Sequence, residues 1–322
     1  MPREPLERDN QAIEHFVAPL DETPLLATDK VDEDVQPLSL WAEAWRNLRK
    51  QPLFIISVLL LVLVIVVALF PWIFTQTPPA QNCLLANSDG GPAPGHPLGF
   101  TKQGCDVYSR IIYGTQASLT VGIFATLGAL LIGGTLGAIA GFYGGWLDSV
   151  IARIGDVFFA LPLILGAIII MQLPLFRANR NVWTVVITLV VFGWPQVARI
   201  TRGAVISVRS ADFVTAARSL GVSRLAALVK HVIPNSLAPV IVVVTVNLGI
   251  FIVAEATLSF LGIGLPPDVM SWGNDISTAQ VSLRSNPASL LWPALALSVT
   301  VLSFIMLGDA LRDALDPKAR KR

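Results

Sequence analysis

The sequence is poor in charge and poor in cysteine. Asp, Glu, Lys and Arg make up only 14% of its 322 residues, where ordinary soluble domains carry about 25%. So few charges exclude a soluble globular chain of this length, and 53% apolar residues exclude disorder for most of it. Two cysteines cannot staple so long a chain, which excludes a disulfide scaffold. A net charge of +1 supplies no broad basic field, so nucleic acid is not an expected partner. Enzyme signatures are also missing. There is no H-E-x-x-H, G-x-S-x-G or C-x-x-C, and the three histidines are scattered. None of the six lysines follows a glycine, so there is no Walker A loop. The expectation is a chain that is not an enzyme, with no catalytic residues, no metal site and no cofactor of its own.

Long charge-free runs take the place of charge. Six of them, of 18 to 38 residues, lie between Lys50 and Asp89, Arg110 and Asp148, Asp156 and Arg177, Arg180 and Arg199, Lys230 and Glu255, and Arg284 and Asp309. About 20 apolar residues cross a bilayer core of about 30 Å, and in hydrocarbon the backbone must satisfy its own hydrogen bonds. Each run is therefore expected to be a helix, giving an all-α membrane protein. The six transmembrane helices are placed at about 53–75, 116–140, 156–175, 182–202, 236–261 and 288–310. The run from Leu59 to Val67 does not alternate, which excludes a barrel strand. With the N-terminus in the cytoplasm, 18 of the 23 Lys and Arg fall inside and 5 outside. The positive-inside bias favours that orientation, with both termini cytoplasmic.

The chain divides accordingly. Residues 1–37, with ten acidic and three basic side chains, read as a disordered acidic tail. Residues 38–75 combine an interfacial helix with the first span. Trp41, Ala44, Trp45 and Leu48 form its expected apolar stripe. Residues 76–115 form an outside loop holding Cys83 and Cys105. If that side is oxidising they can pair, closing a loop worth roughly 3 kcal/mol; otherwise they are two free thiols. Residues 116–310 form a core with five spans, and 311–322 a basic tail. Gly133, Gly137 and Gly141 recur at every fourth position, a stripe that lets a second helix approach closely. Pro162, Pro195, Pro239 and Pro293 each remove a backbone donor and can kink a span. Glu255 is a carboxylate inside a span, a candidate for facing a translocation path or for a structural partner. Asp156, Arg199, Arg202 and Asp309 lie near inner span ends, where snorkelling or pairing is expected.

The inside loop 203–235 is the most informative segment. Ser210 or Asp212 can cap a short helix. Phe213, Ala216, Ala217 and Leu220 make one apolar face, with Arg209, Arg218 and Arg224 around it. Gly221 sits where a C′ glycine ends the helix, Ser223 can cap a second one, and Pro234 marks the start of the fifth span. Such a face at a membrane surface suits a partner's groove.

Thr215-Ala216-Ala217, Gly221 and His231-Val232-Ile233-Pro234-Asn235 resemble the EAA loop of membrane subunits of binding-protein-dependent ABC importers, with Thr215 in place of the usual Glu. Four further stretches resemble the dipeptide/oligopeptide branch of that family. They are His96-Pro97-Leu98-Gly99, Asp106-Val107-Tyr108-Ser109-Arg110, Leu258 through Gly264 with Ser271-Trp272-Gly273, and Gly308-Asp309 with Asp316-Pro317. Cys105 stands where Arg is usual, which favours a local role such as the disulfide. The resemblance implies the type I importer permease fold and a bacterial cytoplasmic-membrane location. It implies four kinds of partner: a second homologous permease subunit, two cytoplasmic ATPase subunits that bind ATP and Mg, an extracytoplasmic solute-binding protein, and a peptide substrate. Asp212, Phe213, Thr215, Ala216, Ala217, Arg218, Leu220, Gly221 and Pro234 would couple the chain to an ATPase. Alternatives are the same architecture carrying nickel or another solute, or a stand-alone secondary transporter.

Overall fold

The computed structural model describes residues 40–80 and 83–315, apart from the side chains of Leu40, Trp41 and Glu43. The acidic tail expected over 1–37 and the last part of the basic tail lie outside the described residues. The first helices are α1 (Leu40–Leu48), α2 (Pro52–Leu69), α3 (Pro71–Phe74) and α4 (Val107–Tyr143). They are followed by α5 (Gly145–Ala160), α6 (Leu163–Met171), α7 (Pro174–Ala178), α8 (Val182–Arg209), α9 (Asp212–Ser219) and α10 (Arg224–Ala227). The chain ends with α11 (Ile233–Phe260), α12 (Trp272–Ala279) and α13 (Ala288–Leu315). Among the described residues the only β pairing is two isolated bridges, Ala93 with His96 and Phe100 with Asp106.

Five helices are long and apolar enough to cross a membrane: α2, α4, α8, the continuous run Arg224–Phe260, and α13. The helix expected over 156–175 is not continuous: α5 and α6, starting at Gly145, are bent by 88° against each other and are long and apolar enough for a span only when taken together. The cause is local. Leu161 precedes Pro162 and sits in the extended region, φ −99° and ψ 123°, because the proline ring disfavours helical backbone in the residue before it. Pro195, Pro239 and Pro293 stay inside their helices, where neighbouring helices make such prolines tolerable.

The packing axis of the bundle is α4 against α8. A Cβ added at Gly133, Gly137 or Gly141 would run into the carbonyl oxygens of Trp194, Ala198 and Arg202 respectively. The four-residue stripe on α4 therefore rides on a four-residue row of backbone on α8, the close approach that small residues permit. Around it, Val121, Ala125, Val185, Leu189, Phe251 and Leu258 form the main core. A second cluster joins Leu61, Leu119, Ile252, Trp272 and Phe304. The outward side chains of α2, among them Leu59, Val62 and Leu63, are exposed, as lipid-facing residues should be. On α1 the expected stripe splits. Ala44 and Leu48 are buried, but Trp45 points outward and meets Phe54 edge-on at 6.2 Å.

Candidate functional site

At one end of the bundle stands α9. Its N-cap is Ala211, which offers no side-chain oxygen, so neither Ser210 nor Asp212 caps it; Asp212 is its first residue. Thr215 Oγ instead bonds back to the Ala211 carbonyl at 3.4 Å. The helix ends in a Schellman turn. Val222 N–H donates to Ala217 O and Gly221 N–H to Arg218 O, with Gly221 at φ 89°, a conformation that glycine adopts without a Cβ penalty. Ser223 then caps α10 by accepting from Ala226 N–H. A π turn, Leu228–Val232, leads straight into α11, with Pro234 in its first turn.

One residue anchors α9. Val214 is 0% exposed and packs with Ala138, Val205, Leu228 and Val232. The expected apolar face points the other way. Phe213 is 47% exposed, Leu220 87%, and Ala216 is exposed. Two arginines lock the helices beneath. Arg202 grips Asp148 through two nitrogens, one contact at 2.6 Å, and Arg209 donates to Gly141 O at 2.6 Å. An open basin of about 440 Å³ lies between α9 and the end of α4, bordered by Tyr143, Thr215, Arg209, Arg218 and Arg224.

The opposite end is held by polar contacts. Glu255 is 0% exposed. Its carboxylate accepts from Ser259 Oγ at 2.9 Å, Ser271 Oγ at 3.0 Å and Ser118 Oγ at 3.2 Å. Those serines belong to α11, the N-cap of α12 and α4. Burying a polar group is costly unless it is hydrogen-bonded, and here one carboxylate satisfies three hydroxyls. Ser271 also caps α12 through Asn274 N–H, and Ser259 accepts from Leu265 N–H. Nearby, Arg110 reaches Asp275 Oδ1 with Nε at 2.7 Å and Nη2 at 2.5 Å. Burial pushes the Asp275 carboxyl above its usual range, and the Arg110 charge and hydrogen bond oppose that push. Trp272, 1% exposed, donates from Nε1 to Ile111 O at 3.1 Å.

Outside this latch lies a small folded loop. Cys83 and Cys105 are joined by a disulfide. Asp106 caps α4 by accepting from Ser109 N–H at 2.9 Å, and its other oxygen meets His96 Nδ1 at 3.1 Å. Asn286 ties the loop down by donating to Phe100 O at 3.0 Å. No cluster of three or more His, Cys, Asp or Glu suited to a metal occurs among the described residues.

A family model described as binding-protein-dependent transport system inner membrane component matches residues 133–321. The chain belongs to that family. A second model, the N-terminal TM domain of oligopeptide transport permease C, matches residues 39–88. The chain is 37% identical to the dipeptide transport system permease protein DppC of Alkalihalophilus pseudofirmus, over 90% of its own length and 93% of the relative's. It is 36% identical to the glutathione transport system permease protein GsiD of Pectobacterium atrosepticum, over 92% and 97%. Among solved structures, it superposes on a chain of the MetNI methionine ABC transporter in an inward-facing conformation. The TM-score is 0.54 at 17% identity, covering 64% of this chain and 96% of that one. The fold is therefore that of a type I ABC importer permease, and the chain is a multi-pass inner-membrane transport component.

The stretches that resembled this permease family do three distinct jobs. Asp106 through Arg110 cap and pin α4. Leu258 through Gly264, with Ser271-Trp272-Gly273, build the Glu255 latch, where Gly273 leaves no room for a Cβ against Ala256. The 212–221 segment builds the exposed knob. Of the two expectations for Glu255, the surroundings supply the donors for a structural partner: the side chain is buried and three serines bond to its carboxylate. Sequence reasoning missed Val214 as an anchor and Ser118, Ser259 and Ser271 as partners. Ser259 alone carried a signal, four residues after Glu255 on the same helix face.

Proposed function

We propose that this chain is the permease subunit of an ATP-driven importer of dipeptides and other short peptides. It forms half of a translocation pathway, the other half being a second, homologous permease. One of two ATPase subunits binds α9 from the cytoplasm, and a solute-binding protein delivers peptide to the opposite end. Both termini lie in the cytoplasm, following the 18-to-5 distribution of basic residues. Phe213, Ala216 and Leu220 enter a groove of the ATPase, and Asp212, Thr215, Ala217, Arg218, Gly221 and Pro234 shape the knob that presents them. The ATPases hydrolyse the ATP; this chain supplies no site for it.

The observation that carries this reading is α9 itself, a short helix anchored by one buried valine, with Phe213, Ala216 and the following Leu220 exposed. An apolar face left bare beside basic side chains is made for a partner. Nucleotide-driven closure of the ATPases moves such a knob as a rigid unit and rocks the bundle between two states. Copurification tests it. An ATPase is expected in stoichiometric amount with the membrane complex, and dipeptide uptake into proteoliposomes should require ATP. Uptake by this polypeptide alone, without nucleotide, would overturn it.

A further inference from the structure

A crevice of about 240 Å³ opens between α4, α5 and α8, on the side of the break between α5 and α6. Its floor is made of small residues, Gly137, Gly155 and Ala198, and its walls of Phe159 and Trp194. Asp156 and Arg199 border it. Arg199 has no ion-pair partner among the described residues; its guanidinium lies 5.5 Å from the Phe159 ring centroid. Asp156 is held only by an exposed pair with Arg153 at 3.3 Å, the kind worth little in water. Arg202, also on the rim, is already committed to Asp148. The crevice thus offers one free cation, one loosely held anion and two aromatic faces.

Arg199 precedes the end of α8 by ten residues and Asp156 follows the start of α5 by eleven, about 15 Å of helix in each case. Leu161 and Phe159, at the break, are exposed. Irregular backbone and charged side chains at membrane depth are tolerated where they line a water-filled cavity or are covered by protein. Facing lipid, both would be costly.

We propose that this crevice is a transit site for the transported peptide. Arg199 takes the peptide's carboxylate, Asp156 its ammonium, and Phe159 and Trp194 its side chains. This inference rests on the importer reading above. A volume below the 300–1,000 Å³ of drug-sized pockets suits a ligand of dipeptide size. The mixture of charges suits a zwitterion better than the phosphate of an anionic lipid.

The test uses the complete importer in proteoliposomes. Both native cysteines are in the disulfide, so Ala152→Cys on the crevice wall is the only reactive thiol among the described residues. A saturating zwitterionic dipeptide should slow alkylation of that thiol at least threefold during ATP turnover. Arg199→Gln should cut dipeptide uptake at least fivefold, with Arg199→Lys restoring most of it. Uptake with neither protection nor an Arg199→Gln effect overturns the transit site and leaves the importer reading standing. Protection by phosphatidylglycerol in place of phosphatidylcholine, and not by dipeptide, makes it a lipid site and overturns the proposal. No uptake by the wild-type complex removes the importer reading and this inference with it.

Discussion

The two ends of the bundle are built on opposite plans. At the disulfide end, α4, α11 and α12 are cross-tied by a carboxylate with three serines, a buried Arg110–Asp275 pair and the Trp272 indole. At the α9 end a short helix hangs on one valine, joined to the spans by a glycine turn and a π turn. A satisfied hydrogen-bond network permits one arrangement, because each lost bond leaves a buried group unpaired. A single apolar anchor has no such directionality, so α9 can shift as a unit while its contact slides. The difference separates a cross-tied end from a lightly anchored one, and the proposed function puts the input at the second.

Changes at four places would break or sharpen that contrast, in descending order of expected effect on the stability of the bundle. Gly137→Leu strikes the axis shared by both ends. The side chain has no space against the Ala198 carbonyl, and overpacking of this kind costs about 3 kcal/mol or more. Thermal unfolding in detergent should show a collapsed transition and little folded protein. Glu255→Leu leaves Ser118, Ser259 and Ser271 without their acceptor and should cost about 2–3 kcal/mol, measured the same way. Glu255→Gln, which keeps an acceptor oxygen, should cost less. Cys83→Ser with Cys105→Ser frees a loop with a sequence separation of 22, a loss of about 3 kcal/mol in the chain-entropy model. That loss is confined to the outer loop, so limited proteolysis should cut there first while the bundle's melting stays nearly unchanged. Leu220→Glu, at a side chain 87% exposed, should change stability by no more than about 0.5 kcal/mol. It should nevertheless cut uptake more than tenfold, measured with the complete importer.

The sequence made five spans legible because charge is expensive in hydrocarbon, so the charge-free runs mark the five unbroken apolar helices. The glycine stripe was legible for a similar reason: a period of four on one helix can mean only one face. The break at Leu161 was not, because charge spacing carries no information about backbone angles, and three of the four prolines sit in unbroken helices. The role of Val214 was hidden because its neighbours come from α4, α8 and the π turn. From the 212–221 pattern alone, Phe213, Ala216, Ala217 and Leu220 look like the whole apolar face. The Arg110–Asp275 pair spans 165 positions, a distance that no local pattern bridges. Glu255 was singled out correctly as costly, yet two of the serines that meet its cost, Ser118 and Ser271, lie 137 and 16 positions away, and only Ser259 shares its helix face.

Hydrogen exchange on the assembled importer, with and without ATP, tests the difference between the two ends most directly. Amides of 212–222 should change protection on nucleotide binding, while those of 107–115 and 271–279 stay protected and unchanged. Unaltered exchange across 212–222, with the change concentrated around Glu255 and Asp275, would contradict it.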